Sequence, residues 1–173
     1  MNASAAIQKI CLLGTSVSGK TSIVRRYVFG EFEKKYTETL GTHITKRAIN
    51  IEYEGKHYTI VNFIWDTPGA YFRGNVTIPI SYLQGTSGII GVYDCAKPAA
   101  FSELDSLMEK YKRICPIGER PIVFAANKVD LIAKTKRQKL PQDHIYVSAK
   151  TGENIEELFE LLNKKVLAKK RSW

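Results

Sequence analysis

Cysteine is scarce in this chain: Cys11, Cys95 and Cys115 are all it has in 173 residues. So few and so scattered a set excludes a disulfide framework and a Cys-rich zinc site, and it fits a reducing, cytoplasmic setting. Cys11 and Cys95 follow or sit in apolar runs and are expected to be small core fillers. No stretch reaches the roughly 18 consecutive apolar residues of a membrane-spanning helix. The opening Met1-Asn2-Ala3-Ser4-Ala5-Ala6 has no basic region and leads into no long apolar core, so no signal peptide is expected. With Asn2 after Met1 no N-myristoylation is expected, and with no cysteine in Lys169-Lys170-Arg171-Ser172-Trp173 no prenyl anchor is expected there. Acidic residues are also short, 17 against 26 Lys and Arg, a formal charge of +9. A surplus of that size can serve nucleic acid or an anionic membrane. The cations are nevertheless dispersed, with local clusters at Lys134–Lys139 and Lys164–Arg171, and neither cluster is interleaved with aromatics as a single-strand binder requires. A solvated basic face is expected, and no specific nucleic-acid partner.

What is present is an ordinary globular composition, 44% hydrophobic and 25% charged, at a length that suits one domain over residues 1–173 with a basic tail at 169–173. The chain is organised around Gly14-Thr15-Ser16-Val17-Ser18-Gly19-Lys20-Thr21, which fits G-x-x-x-x-G-K-[ST]. An apolar run, Ile10 to Leu13, precedes it, and a segment that can wind as a helix follows from Ser22 to about Phe29, with Gly30 as a stop signal. Glycines at 14 and 19 let the backbone approach a phosphate closely. Successive N–H groups and the positive end of the following helix then meet the anion. Lys20 can place an ammonium on the outer phosphates, and Thr21 can offer its hydroxyl to Mg²⁺.

The first strand is expected over Ile7–Leu13, buried on both faces. Residues 31–41 are polar and aperiodic, so a loop. Ile44–Tyr53 and His57–Trp65 flank Glu54-Gly55 and form a hairpin. A short helix over Ile80–Leu83, a strand over Gly88–Tyr93, a helix over Phe101–Ile114 ended by Pro116, a strand over Pro121–Ala126, a last strand over His144–Ser148 and a closing helix carrying Ile155, Leu158, Phe159, Leu162 and Val166 complete the reading. This alternation predicts an α/β fold: a mostly parallel six-stranded sheet with one antiparallel edge strand and helices on both faces. Ligands on such sheets sit at the carboxyl ends of the strands, which is where the glycine loop, Asp66, Asn127 and Ser148 all fall.

Three further constellations lie at those ends. Asp66-Thr67-Pro68-Gly69 places an acid to hold Mg²⁺ and a glycine N–H to meet a terminal phosphate. Asn127-Lys128-Val129-Asp130 places a carboxylate that can accept the N1–H and 2-amino group of guanine; adenine has no such donor pair and leaves Asp130 unpaired. Ser148-Ala149-Lys150 can offer a backbone N–H to the guanine oxygen. Each triplet alone is compatible with a plain loop; their order along the chain is what carries the reading.

With these motifs in place, from Ile7 to about Leu167, the sequence resembles the Ras-like small GTPases of the P-loop NTPase class, and within them the Rab branch, through Trp65-Asp66-Thr67, Gly88-Ile89-Ile90-Gly91-Val92-Tyr93-Asp94 and Ser81-Tyr82-Leu83-Gln84-Gly85. The resemblance implies GTP and GDP as ligands with Mg²⁺, and a guanine-nucleotide switch serving membrane trafficking or signalling. It implies that Ser16, Val17, Ser18, Gly19, Lys20, Thr21 and Ser22 line the phosphate loop, that Phe32 packs its edge on the guanine, and that Tyr36 closes over the phosphates. Thr39 takes Mg²⁺ and the γ-phosphate, so that Thr21, Thr39 and Asp66 form the metal set. Lys20, Thr39 and Gly69 serve hydrolysis, and Asn127, Lys128, Asp130, Ser148, Ala149 and Lys150 bind the base. The loop around Thr39 is then switch I and Asp66 to about Pro79 switch II, through which effector, exchange and GTPase-activating proteins act on a monomer.

The departures are informative. Ala70 stands where the family carries its water-orienting glutamine, and a methyl group cannot hydrogen-bond an attacking water. Pro68 replaces the usual alanine, Gly69–Gly85 is slightly longer than in typical Rabs, and the short interval from Asp130 to Ser148 predicts that the family's fourth helix is shortened or absent. Slow intrinsic hydrolysis is therefore expected. Two other readings stay open: a GTP-bound interaction module that hardly turns over, and a basic nucleic-acid binder motivated by charge alone. The cations of the closing helix permit peripheral membrane contact at most, and a soluble helix end with cations at its negative pole is the plainer expectation.

Overall fold

The computed structural model describes residues 4–34, 39, 41–69, 78–114 and 120–170. Its strands are β1 (Ser4–Leu13), β2 (His43–Tyr53), β3 (Lys56–Asp66), β4 (Gly88–Asp94), β5 (Ile122–Asn127) and β6 (His144–Tyr146). Its helices are α1 (Lys20–Phe29), α2 (Ile80–Leu83), α3 (Ala100–Ile114) and α4 (Ile155–Lys170). The six strands form one sheet in the order β2-β3-β1-β4-β5-β6. β1 runs parallel to both β3 and β4, β5 joins β4 and β6 joins β5 in parallel, and β2 alone is antiparallel, against β3. The strand order reverses about β1, so the crevice of the sheet opens at the loop leaving its carboxyl end.

Local sequence explains the elements. Glu54 and Gly55 both take positive φ, 49° and 69°, and Tyr53 pairs with Lys56 across them. This is the two-residue turn whose twist matches an antiparallel pair. α1 ends at Gly30, whose left-handed backbone lets its N–H reach the Arg26 carbonyl at 3.0 Å. β4 is buried at every residue from Gly88 to Asp94, as a central parallel strand covered on both faces should be.

The two larger hydrophobic clusters lie on the two faces, and a small third joins Ile51, Ile60 and Leu167. On one, α1 and α4 pack over Ile10, Leu12, Ile64, Ile90 and Val123, with Tyr27 of α1 stacked on Phe159 of α4 at 3.6 Å between ring centroids. On the other, Leu104, Met108 and Tyr111 of α3 cover Cys11, Leu13, Ile89 and Ala126. The expected fold class is observed, helices on both faces included. No α-helix occupies residues 131–143; two single 3₁₀ turns, Val129–Leu131 and Lys134–Lys136, stand there instead. The stop expected at Pro116 lies outside the described residues, as does Cys115.

Three expectations need correction. β1 is not buried on both faces throughout: Ile7 is 70% exposed while Gln8 is fully buried. Ile7 shares the face of Cys11 and Leu13 but lies beyond the part of β1 that their cluster covers. The last strand stops at Tyr146, because its ladder with β5 ends at the Ala126–Tyr146 pair. Cys95 is half-buried at the margin of its cluster, unlike the fully enclosed Cys11.

His144 in β6 stacks on Phe124 at 4.5 Å and meets Phe101 at 4.7 Å, with Nδ1 3.2 Å from the Tyr93 hydroxyl. Burial holds its pKa below the ordinary 6.5 against the opposing pull of Asp143 and Asp105. The unfolded chain therefore binds this proton more readily than the native state, and the contribution to stability is full above about pH 6.5 and lost as the pH falls below it. Chemical unfolding at pH 7 and pH 5 should show a shallower loss of stability in His144→Phe than in the wild type; equal slopes contradict this assignment.

Candidate functional site

Four loops, leaving β1, β3, β5 and β6, meet around a cavity of about 450 Å³. The loop after β1 contributes Ser16, Val17 and Gly19, and the first turn of α1 Lys20, Thr21 and Ser22; the loop after β3 contributes Thr67 and Gly69; the end of β5 and the turn after it contribute Asn127, Lys128, Asp130 and Leu131; Ala149 and Lys150 close the far wall. Phe32 and Thr39 also line it. Sequence reasoning did not single out Arg25, Glu33, Lys34, Thr67 and Leu131, which face the same space. Tyr36 and Ala70 lie outside the described residues.

The glycine loop is shaped by close approach. A Cβ at Gly19, whose φ is 96°, would stand 2.2 Å from Asn127 Nδ2. A Cβ at Gly69 would stand 2.5 Å from the Cα of Ser16, so the Asp66–Gly69 turn rests on the phosphate loop itself. Lys20 is only 6% exposed, and its ammonium donates to the carbonyls of Gly14 (2.7 Å) and Thr15 (3.1 Å). Burial pulls its pKa down to about 8, with Asp66 pulling the other way. A multiply charged anion beside this ammonium favours its charged form and offsets the desolvation that now disfavours it.

The three residues expected to hold a metal come together. Thr21 Oγ1 donates to Asp66 Oδ2 at 2.6 Å and stands 2.9 Å from Thr39 Oγ1. The other oxygen, Asp66 Oδ1, is buried with no hydrogen-bond partner among the described residues. Burial raises the carboxyl above its ordinary range, while Thr21 and Lys20 lower it. Two hydroxyls and a carboxylate with an unused buried oxygen are hard donors that fit Mg²⁺. Asp66 itself stands behind Thr21, not on the cavity wall.

At the other end, Asn127 joins the glycine loop to the turn after β6. Its Nδ2 donates to the Ser18 carbonyl at 2.9 Å, and its Oδ1 accepts from the Ala149 N–H at 3.2 Å. Ser18 thus contributes backbone; its side chain is buried away from the cavity. Asp130 accepts the Ser148 hydroxyl at 2.6 Å and lies 3.6 Å from the Lys150 ammonium. Ser148 therefore acts behind Asp130, off the cavity wall. Lys128 donates to Asp94 at 2.8 Å, and Asp94 also accepts the Ala96 N–H at 3.1 Å. Neither Asp94 nor Arg26, which reaches the Ala149–Lys150 turn, was given a role from sequence. The one available signal was the place of Asp94 at the end of a buried strand.

The Ras family model matches residues 9–168. Ras-related protein Rab-13 of Canis lupus familiaris is 32% identical over 171 residues, covering 93% of this chain and 80% of that protein. Ras-related protein RabJ of Dictyostelium discoideum is 35% identical over 175 residues, 95% of this chain and 65% of the relative. GTP-binding protein ypt5 of Schizosaccharomyces pombe is 30% identical over 169 residues, 92% and 77% respectively.

Asn127→Ala leaves the Ser18 carbonyl and the Ala149 N–H without their side-chain partner. Urea unfolding of nucleotide-free protein should show a loss of about 1–3 kcal/mol; an unchanged midpoint contradicts the bridging role.

Proposed function

The chain belongs to the Ras family and resembles its Rab members, and from that premise we propose a GTP-binding switch whose unassisted hydrolysis is slow. The observation that supports this most is the shared cavity: a phosphate loop with a buried ammonium forms one end and a pinned carboxylate, Asp130, the other.

In this reading the backbone amides of Ser16–Ser22 cradle the phosphates, and Lys20 turns from the Gly14 and Thr15 carbonyls to the outer phosphate oxygens. Asp130, fixed by Ser148, takes the N1–H and 2-amino group of guanine. The Ala149–Lys150 turn offers a backbone N–H to the guanine oxygen, Phe32 packs its edge on the guanine, and Lys128, tethered by Asp94, lines the same end of the cavity. Thr21, Thr39 and Asp66 hold Mg²⁺, which neutralises charge on the phosphate oxygens when bound. Thr39 and the Gly69 N–H contact the γ-phosphate, and loss of that group releases both loops. Tyr36 closes over the phosphates.

Hydrolysis transfers the γ-phosphoryl group to water: a bond forms from the water oxygen to phosphorus, the bond from phosphorus to the β–γ bridging oxygen breaks, that oxygen leaves on GDP, and the water's proton passes to the released phosphate or to solvent. The chain's part is position and charge, from Lys20 and the loop amides. Ala70 brings no donor or acceptor to the water, so the rate falls at or below about 10⁻⁴ s⁻¹, the scale of unassisted Ras. Effector, exchange and activating proteins engage the switch loops, and an activating partner supplies the missing group.

No helix among the described residues is long and apolar enough to cross a membrane. Of the cations on α4, Lys164 is paired with Glu160 at 2.5 Å and Lys165 with Asp143 at 2.7 Å. This favours a solvated helix end, with peripheral membrane contact as the most the tail supports.

Single-turnover hydrolysis of bound GTP, with and without cell lysate, tests the reading. Ala70→Gln should raise the unassisted rate by about tenfold, the worth of one well-placed hydrogen bond. An unchanged rate contradicts the role given to position 70. Fast hydrolysis in the wild type contradicts slow turnover, and no acceleration by any lysate favours the GTP-bound module.

A further inference from the structure

We propose that Arg26 is a positioning residue for base recognition, its guanidinium clamping together the two loops that flank the base. Arg26 lies on α1, outside the phosphate loop. All three of its guanidinium nitrogens are committed: Nε donates to the Ala149 carbonyl at 2.8 Å, Nη2 to the Lys150 carbonyl at 2.7 Å, and Nη1 to the Gly30 carbonyl at 2.6 Å. The planar fork fixes the directions of these donors relative to one another. Among the described residues no carboxylate pairs with Arg26, so its charge is spent on backbone carbonyls.

The targets give the clamp its meaning. Residues 149 and 150 form the turn whose backbone N–H faces the guanine oxygen in the proposed function, and the inference rests on that reading. Asn127 already holds this turn by the Ala149 N–H. Arg26 holds it from the opposite side, by two successive carbonyls. Asn127 holds the 148–149 peptide unit by its N–H, and Arg26 holds the next two units by the Ala149 and Lys150 carbonyls, so three successive planar units are restrained and the donor directions at this turn are set before any nucleotide arrives. Gly30, the third target, is where the chain leaves α1 for the loop carrying Phe32, and Arg26 grips it twice, through the guanidinium and through its own carbonyl. One side chain thus ties the root of the Phe32 loop to a turn that lies 124 residues beyond Arg26 in sequence. A residue that only capped α1 needs Gly30 alone; the two bonds to the base turn have no role in ending a helix.

The test compares dissociation of GDP, 6-thio-GDP and IDP from the full chain, as wild type, Arg26→Met and Arg26→Lys. 6-Thio-GDP keeps the N1–H and 2-amino groups but presents sulfur, a weak acceptor, to the 149–150 turn. IDP lacks only the amino group that Asp130 takes. Arg26→Met should release GDP about tenfold faster. Its preference for GDP over 6-thio-GDP should shrink toward one, with the preference over IDP unchanged. Arg26→Lys, which keeps the charge but reaches fewer carbonyls, should fall between. Wild-type rates and preferences in Arg26→Met overturn the proposal, and so does an equal loss of both preferences, which marks general loosening. If circular dichroism shows Arg26→Met unfolded, Arg26→Lys decides on the same terms. A wild type that prefers GDP over neither analogue overturns the guanine reading itself.

Discussion

An ammonium buried to 6% exposure is costly unless something of opposite charge meets it, and Lys20 has two carbonyl oxygens within hydrogen-bond reach and the influence of Asp66. That partial compensation leaves its pKa near 8. The surrounding loops are arranged about this cation. Gly19 brings the chain against Asn127, Gly69 lies on Ser16, and Thr21 ties the loop to Asp66. In the proposed function a polyphosphate brings further negative charge to this cation, which joins the fold and its ligand in one physical argument.

The two loops expected to respond to the γ-phosphate touch the phosphate loop directly. Thr39 meets Thr21, and Gly69 meets Ser16. A change at the terminal phosphate therefore reaches both without an intermediate element. The base end is built differently. Asn127 and Arg26 hold turns by their backbones, and Ser148 holds the Asp130 carboxylate, so the groups proposed to recognise the base are already held by the protein itself. In the proposed function this separates a rigid grip on the base from a responsive grip on the phosphates.

Much of this was legible in the sequence because it is local. The glycine loop, the Glu54-Gly55 turn, the spacing of α4 and the missing helix after Asp130 are set by residues a few positions apart. Sites at strand ends followed from the alternation of elements. What was not legible depends on distance in the chain. Arg26 reads as one more cation on a helix until the fold brings residues 149 and 150 beside it. Asp94 reads as a strand terminus until Lys128 reaches it. The exposure of Ile7 and the burial of Gln8 follow from how far the helices extend over β1, which composition does not encode.

The central claim is that one cavity recognises phosphates and a guanine together. Competitive titration of nucleotide-free protein with GDP and ADP, in the presence of Mg²⁺, tests it most directly. Because Asp130 is left unpaired by adenine, GDP should bind tighter by about 10⁴-fold. Equal affinity for the two, or no binding of either, contradicts the account.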